Sequence, residues 1–187
     1  MKKHIYGYLF LKFSKLSGLM KFFVISSLLL VSVRCNDTPN PVKKELNEIA
    51  KEIMTNAKYC AFITIDSLGV ANARAMDPFL PDENFTVWMA TKPSSLKVKQ
   101  LQGNNNVTLY YFDEESVSYV TLQGVASILN SQNEKEIFWK KEWKNFYKNR
   151  TSDYTLIKFI PKVGNVISEK YKIFGDSITW ETPQINF

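Results

Sequence analysis

The sequence predicts a mainly β (α+β) domain, built as an antiparallel barrel or sandwich of six or seven strands with a few flanking helices. Short runs rich in β-branched and aromatic residues follow one another from residue 59 onward, and turn signals separate them. Only three segments have the pattern of a helix, so helices do not alternate with strands as they would in a doubly wound sheet. With 187 residues, the chain is long enough for one domain with a proper hydrophobic core.

The domain opens with a helix that begins near residue 41. Asn40 suits the N-cap, and Pro41 suits the first helical position because the N–H that proline lacks would have no helical partner there. Apolar residues recur on one side at helical spacing, namely Val42, Leu46, Ile49 and Ile53. We expect this side to pack against the sheet.

Six strand-like runs follow this helix: residues 59–66, 70–76, 85–91, 107–113, 116–129 and 154–161. Turn signals such as "DSLG" and "GNNN" separate them. Two further helices are predicted, over residues 95–101 and roughly over residues 134–147.

The helix predicted over residues 134–147 mixes aromatic residues with lysines. Helical spacing places the aromatic side chains on one side and leaves the lysines largely to the other: Trp139, Trp143, Phe146 and Tyr147 against Lys140, Lys141, Lys144 and Lys148. This pattern favours an amphipathic helix that packs on a barrel over a nucleic-acid-binding surface.

The excess positive charge of the chain is confined to its first 34 residues. The formal net charge is +6, from 24 basic and 18 acidic side chains. Residues 1–34 hold six of the basic side chains and no acidic one, so 24 − 6 = 18 basic side chains remain against 18 acidic ones. The rest of the chain is neutral, which argues against nucleic acid as a partner.

Residues 1–34 have the layout of an export signal. Lysines precede the apolar run "FFVISSLLLVSV", which is too short to span a bilayer comfortably, and Cys35 and the polar segment "NDTPNP" follow. The region resembles a bacterial lipoprotein signal, which implies cleavage after Arg34, lipid on Cys35, a tether over residues 35–40 and a membrane-anchored protein in the periplasm or at the cell surface. Arg34 stands where such signals normally carry a small residue. A cleaved ordinary signal and an uncleaved anchor remain alternatives.

Histidine is also confined to the leader, as His4. A chain cleaved after residue 34 therefore excludes a Ser-His-Asp triad and the His-based metal sites, and one or two cysteines cannot make a structural zinc site. No metal site is predicted. Cys60 lies in a strand-like run, which favours a small buried hydrophobe over a nucleophile. A disulfide between Cys35 and Cys60 remains open if the leader is removed differently.

A strand passes into a helix in "WMATKPSSLKVKQL", residues 88–101, and this junction carries Ser94, Ser95 and Lys97. The first N–H groups of a helix lack partners and the helix dipole favours negative charge, so such a junction can bind an anion. A serine N-cap with a solvated lysine is the alternative.

Three segments in this order carry a resemblance to a known family: "DSLGVANARAM", "FTVWMATKPSSLKVKQL" and "NNNVTLYYFD". They resemble the FMN-binding split barrel of the pyridoxamine 5'-phosphate oxidase superfamily, and most closely its bacterial general stress protein branch, whose motifs read approximately DxxGxPxxRPM, WFxTxxxSxK and NPxVxLxY. The resemblance covers roughly residues 45–165. Four positions depart from these motifs, and none of them removes a charged ligand: Ala71, Ala75, Met89 and Asn106.

The resemblance implies that residues 41–187 form an FMN-binding split-barrel domain. In the family, the arginine of the second strand and the serine and lysine of SxK bind the FMN phosphate, which carries over to Arg74, Ser95 and Lys97. An arginine, a lysine and a helix N-terminus supply the charge and the donors that a phosphate dianion requires.

The resemblance also assigns the isoalloxazine ring, which lies against the segments that correspond here to Ala75, Met76 and "WMAT", with Thr91 as a polar contact. Family members build the flavin site between two subunits, which implies a homodimer. For Trp88 and Trp180, packing is favoured over contact with the flavin.

The function implied is that of an FMN-dependent oxidoreductase of unknown substrate, in which the flavin carries the redox chemistry. No general acid or base is identified, so no catalytic residue is assigned. The alternative is a non-catalytic, stress-related module that binds flavin or haem, although the lack of histidine weakens the haem version. An oxidase that forms pyridoxal phosphate is less favoured, because its C-terminal arginine and histidine signature is not visible.

Overall fold

The computed structural model describes residues 41–187, with side chains from Glu45 onward. The predicted signal over residues 1–34, the tether over residues 35–40, the lipid on Cys35 and the capping role of Asn40 lie outside the described residues. Within residues 41–187, every helix is too short or too polar to cross a bilayer.

The elements of the described chain alternate little between helix and strand. The α-helices are α1 (Pro41–Ala57), α2 (Leu96–Gly103) and α3 (Gln132–Ile137), and a 3-10 helix spans Lys141–Asn145. The strands are β1 (Cys60–Ile65), β2 (Ala71–Met76), β3 (Val87–Thr91), β4 (Asn106–Asp113), β5 (Ser118–Leu129), β6 (Thr155–Ser168) and β7 (Gln184–Asn186).

These strands form one antiparallel sheet in the order β2-β1-β4-β5-β6-β3, and β7 pairs with β6. The mainly β, antiparallel, split-barrel-like fold with a few flanking helices is therefore confirmed. Strands β2 and β3 are the two ends of the strand order, and neither has a second neighbour within the described sheet. Four of the six predicted site residues lie on these two edge strands, namely Arg74, Ala75 and Met76 on β2 and Thr91 on β3.

The main hydrophobic core lies between helix α1 and one face of the sheet. Ile49 and Ile53 are buried there with side chains of β1, β4, β5 and β6, and Leu46 is partly buried against them. The predicted apolar side of α1 is confirmed for these three residues, while the side chain of Val42 lies outside the described ones.

Strand β6 is longer than predicted, since it continues through Pro161 to Ser168, and β7 is not predicted at all. Pro161 pairs with Gly124, where the register of β5 against β6 shifts. Proline is tolerated in a strand at such an irregularity because its missing N–H need not join the ladder. A Cβ on Gly124 would collide with the backbone of Ile160 and Pro161, so the close approach requires glycine.

The single helix predicted over residues 134–147 is wrong. Helix α3 ends at Ile137, Phe138 leaves the helical region with φ −96° and ψ 72°, and the 3-10 helix follows. The break lets Phe138 and Trp143 both contact Phe79, with ring centroids 5.3 and 5.5 Å apart. A continuous helix would hold these two side chains roughly 140° apart around its axis.

The packing predicted for this segment is confirmed in part. Trp143 is buried in a second apolar cluster, with Trp139 and Tyr147 partly buried against it. Phe146 instead remains 70% exposed. Trp88, predicted as a core residue, belongs to the same cluster and stacks on Phe138 with a centroid separation of 4.1 Å.

Candidate functional site

Helix α2 begins where the sequence predicts, after a serine whose side chain does not cap it. Ser95 occupies the N-cap with extended backbone angles, and its hydroxyl makes no capping hydrogen bond. That hydroxyl lies 3.1 Å from the hydroxyl oxygen of Thr91, at the end of β3. The serine therefore joins the helix start to an edge strand.

Lys97 reaches the same threonine. Its Nζ donates a hydrogen bond of 3.0 Å to Thr91 Oγ1, which is itself buried. Three of the predicted site residues, Thr91, Ser95 and Lys97, are thus brought together at the N-terminus of α2. Ser94 is exposed and takes no part in these bonds.

Arg74 approaches α2 from the opposite edge strand, β2. Its guanidinium donates to Thr64 Oγ1 at 2.7 Å and to Gln100 Oε1 at 3.0 Å. Thr64 also donates to Gln100 at 2.7 Å, and both of these polar side chains are buried. Gln100 lies three residues after Lys97, on the same side of the helix. Helix α2 therefore links β3 to β2 through two of its side chains.

The electrostatics of this cluster favour an anion. Burial lowers the pKa of Lys97, and the positive charge of Arg74 lowers it further. Burial also lowers the pKa of Arg74. Within the described residues, ion pairs form elsewhere, between Lys140 and Asp77 and between Lys170 and Glu52. Two partly desolvated cations without a carboxylate partner repel each other, and a bound anion would relieve that repulsion.

Ala75 and Met76 lie next to Arg74 on β2 and line a groove of about 690 Å³. Side chains alternate along a strand, so Met76 shares the face of Arg74, about 7 Å further along, and Ala75 points to the other face. Ala90 of β3 also lines the groove. The six predicted site residues therefore form two parts. Arg74, Thr91, Ser95 and Lys97 form a cation cluster, and Ala75 and Met76 line the groove next to it on β2.

Sequence reasoning missed Thr64 and Gln100. Thr64 occupies an inward position of β1, where a polar side chain is unexpected, and Gln100 follows Lys97 at helical spacing. These two signals existed, but only the tertiary structure shows that both residues meet Arg74.

Two further predictions have an outcome here. Cys60 is buried, as predicted, and burial raises the pKa of its thiol to about 12, so the thiol remains protonated at neutral pH.

The packing predicted for Trp180 is wrong, because its side chain is 82% exposed. A tight turn explains this: Trp180 has φ 60°, and its N–H donates to the carbonyl oxygen of Asp176 at 2.9 Å.

The sequence model of one protein family, described as pyridoxamine 5'-phosphate oxidase like, matches residues 44–175. No curated protein matches the chain significantly.

Several solved structures resemble the fold. A Clostridium acetobutylicum protein related to general stress protein 26 of the pyridoxinephosphate oxidase family has a TM-score of 0.65 and 22% identity, over 77% of this chain and 96% of that one. General stress protein 26 from Bacillus anthracis has a TM-score of 0.58 and 24% identity, over 66% and 94%. A pyridoxamine 5'-phosphate oxidase-related, FMN-binding protein from Nostoc punctiforme has a TM-score of 0.57 and 11% identity, over 81% and 98%.

Proposed function

The chain belongs to the pyridoxamine 5'-phosphate oxidase-like family, and from this premise we propose that it is an FMN-binding flavoprotein whose phosphate site is the cluster of Arg74, Ser95 and Lys97. The observation that carries the proposal is a pair of cations, Arg74 beside Gln100 and Lys97 in the first turn of α2, without a carboxylate partner among the described residues. A phosphate dianion would supply the missing negative charge.

The donor set of the cluster fits a phosphate group. Arg74 presents a planar guanidinium, Lys97 an ammonium, and Ser95 a hydroxyl that does not cap its own helix. The first amides of α2 add donors at the positive end of the helix dipole. Charge-assisted hydrogen bonds of this kind are the strong ones in phosphate recognition.

The isoalloxazine ring is proposed to lie in the groove beside Ala75 and Met76. Met76 is close enough to Arg74 along β2 for one ligand to reach both parts of the site. Thr91 is predicted as a polar contact of the ring. Its hydrogen bonds to Ser95 and Lys97 support, in addition, a role in positioning both phosphate ligands.

Bound FMN would supply the redox chemistry, so the function proposed is that of a flavin-dependent oxidoreductase. The protein's own residues hold the phosphate and place the ring against two edge strands. The alternatives are a module that binds flavin without catalysis and a module that binds haem.

A homodimer is proposed as the assembled form. The outward face of β1, β2 and β4 carries apolar side chains, and Tyr110 and Phe112 on it are 36% and 48% exposed. Asn165 lies in the same row as Tyr110 across the sheet, and its Oδ1 is buried without a hydrogen-bond partner in the described chain. A second copy would cover the apolar face and could donate to that oxygen. Sedimentation showing a flavin-bearing monomer at micromolar concentration would exclude a site that needs two subunits.

The visible absorption spectrum of the purified protein tests the proposed cofactor. We expect flavin absorption bands, either as isolated or after incubation with FMN and removal of the excess. A Soret band would support the haem alternative instead. A protein that takes up neither cofactor would contradict the proposal.

A further inference from the structure

Part of the groove wall is aromatic. Tyr59, Phe146 and Tyr147 line it, facing a cavity that Ala75 and Met76 bound on the side of the proposed flavin. The volume of about 690 Å³ falls within the range of roughly 300–1,000 Å³ that small-molecule sites occupy. The groove is therefore of the size that a small-molecule ligand occupies.

Packing does not account for the two exposed rings of this wall. Other aromatic residues of the same segment, among them Phe138, Trp139 and Tyr147, are partly buried against the second cluster. Phe146 is 70% exposed and Tyr59 is 52% exposed. The fold thus leaves two apolar rings in solvent at the mouth of a cavity.

The exposed rings stand on a fixed backbone. The N–H groups of Phe146 and Tyr147 both donate to the carbonyl oxygen of Trp143 at 2.9 Å. The buried indole of Trp143 in turn donates to Asp77 Oδ2 at 3.3 Å, next to β2. Because the backbone that carries Phe146 is hydrogen-bonded before any ligand arrives, binding would require little ordering of the main chain there.

The charges around the groove cancel, whereas the cation cluster carries the two positive charges of Arg74 and Lys97. Lys140 pairs with Asp77 at 2.6 Å, and the other charged side chains that line the groove are Lys58 and Glu142, one of each sign. The Lys58 ammonium lies 5.4 Å from the centre of the Tyr59 ring. A balanced rim gives no electrostatic preference for a charged ligand.

We propose that this groove binds an uncharged, planar aromatic molecule, stacked against the rings of Phe146 and Tyr59. Offset or edge contacts between aromatic rings are favourable beyond the area that they bury, and they select flat ligands. We further propose that this molecule is the substrate of the flavin, and this step rests on the proposed function. The binding of the molecule in the groove does not depend on the proposed function.

Calorimetric titration with coumarin, which is uncharged and planar, tests the proposal. We expect the protein to bind coumarin, and Phe146→Ala and Tyr59→Ala each to weaken that binding about three- to tenfold. Ile178→Ala is the matched control, because Ile178 is an apolar residue that is 86% exposed and lies outside the groove. We expect it to bind coumarin as the parent does, and coumarin-3-carboxylate to bind the parent more weakly than coumarin.

Absence of coumarin binding by the parent, or unchanged binding in both aromatic variants, would overturn the proposal. FMN titration of the same variants separates it from the proposed function. We expect FMN affinity to fall much less than coumarin affinity, because the phosphate site lies outside the groove, and an equal loss of FMN and coumarin would show that the rings belong to the flavin's own site. If the parent fails to bind FMN while coumarin binding depends on Phe146, the proposed function fails and the groove assignment stands.

Discussion

Arg74 lies close enough to Lys97 for its charge to lower the pKa of the lysine, although Arg74 belongs to edge strand β2 and Lys97, on helix α2, donates to Thr91 of the opposite edge strand β3. Each is held by a neutral hydrogen-bond acceptor, Thr91 for the lysine and Thr64 with Gln100 for the arginine. Neutral acceptors orient the two cations without cancelling their charge. This is the arrangement expected of a site that awaits an anion.

Removing either cation is expected to weaken FMN much more than riboflavin, which lacks the phosphate. Arg74→Ala or Lys97→Ala would each remove a charge-assisted hydrogen bond, a loss of about 1.5 to 3 kcal/mol, or about tenfold to hundredfold in dissociation constant. Ser95→Ala loses a neutral donor and should have a smaller effect of the same kind. Titration of both flavins measures the difference.

Lys99→Ala is the matched control for that experiment, because Lys99 lies on the same helix and is exposed. We expect its FMN affinity to stay within about twofold of the parent. Equal losses of FMN and riboflavin in Lys97→Ala would indicate damage to the fold. An unchanged FMN affinity in that variant would remove the phosphate role of Lys97.

Gln100→Glu should convert an anion site into an internal ion pair. A carboxylate at this position would face the Arg74 guanidinium, which Gln100 now contacts at 3.0 Å, and would compete with the phosphate. We expect at least a tenfold loss of FMN affinity, whereas Gln100→Ala, which only loosens Arg74, should lose less. A glutamate variant that binds FMN as tightly as the alanine variant would argue against Arg74 as a phosphate ligand.

The pH dependence of FMN affinity should follow Lys97. Because burial and Arg74 lower its pKa, Lys97 loses its proton at a lower pH than an ordinary lysine, and FMN affinity should fall as pH rises through that lowered value. Riboflavin affinity should not follow this fall. In the ligand-free protein the sign is opposite: the unfolded chain holds the proton more tightly, so this group's contribution to the free energy of unfolding rises with pH between the lowered pKa and the ordinary one.

Lys97→Met should remove both the contribution of Lys97 to FMN binding and the destabilising effect of its buried charge in the ligand-free protein. The variant is expected to lose the selectivity for FMN over riboflavin and to raise the unfolding free energy of the ligand-free protein by about 0.5 to 2 kcal/mol. Thermal unfolding would detect this as about 2 to 4 °C per kcal/mol. A ligand-free variant less stable than the parent would show that Lys97 stabilises the fold rather than straining it.

Gly124→Ala should destabilise the sheet. The added Cβ would collide with the backbone of Ile160 and Pro161 at the register shift, and overpacking of this kind costs about 1 to 3 kcal/mol. Gly103→Ala is the control, since a Cβ there meets nothing within 4 Å. Chemical denaturation that finds the two variants equally stable would contradict the role assigned to Gly124.

Cys35→Ser tests the export and the lipid anchor that the sequence predicts. A multiply acylated cysteine holds a protein firmly at a membrane, so its loss should move the protein to the soluble fraction. Cell fractionation with mass determination of the N-terminus measures this. Unchanged membrane association with the apolar run of residues 22–33 retained would indicate an uncleaved anchor.

The sequence by itself determined most of the local structure and the residue types from which the site is proposed. The period of apolar residues marks α1 and the strands, because alternating or helical spacing follows directly from backbone geometry. Arg74 and the SxK motif at Ser95 and Lys97 predict the proposed phosphate ligands through their resemblance to the motifs of the family. Such signals are contained within a few neighbouring residues, so a single sequence suffices to see them.

The tertiary structure alone decided which of these residues meet. Thr64 and Gln100 become hydrogen-bond acceptors of Arg74 only because β1 pairs with β2 and α2 places Gln100 beside Thr64. The helix over residues 134–147 breaks because Phe79, more than fifty residues earlier, offers a surface to two side chains that one helix cannot present together. Contacts between distant segments outweigh local propensity when they bury aromatic area, and local pattern contains no record of them.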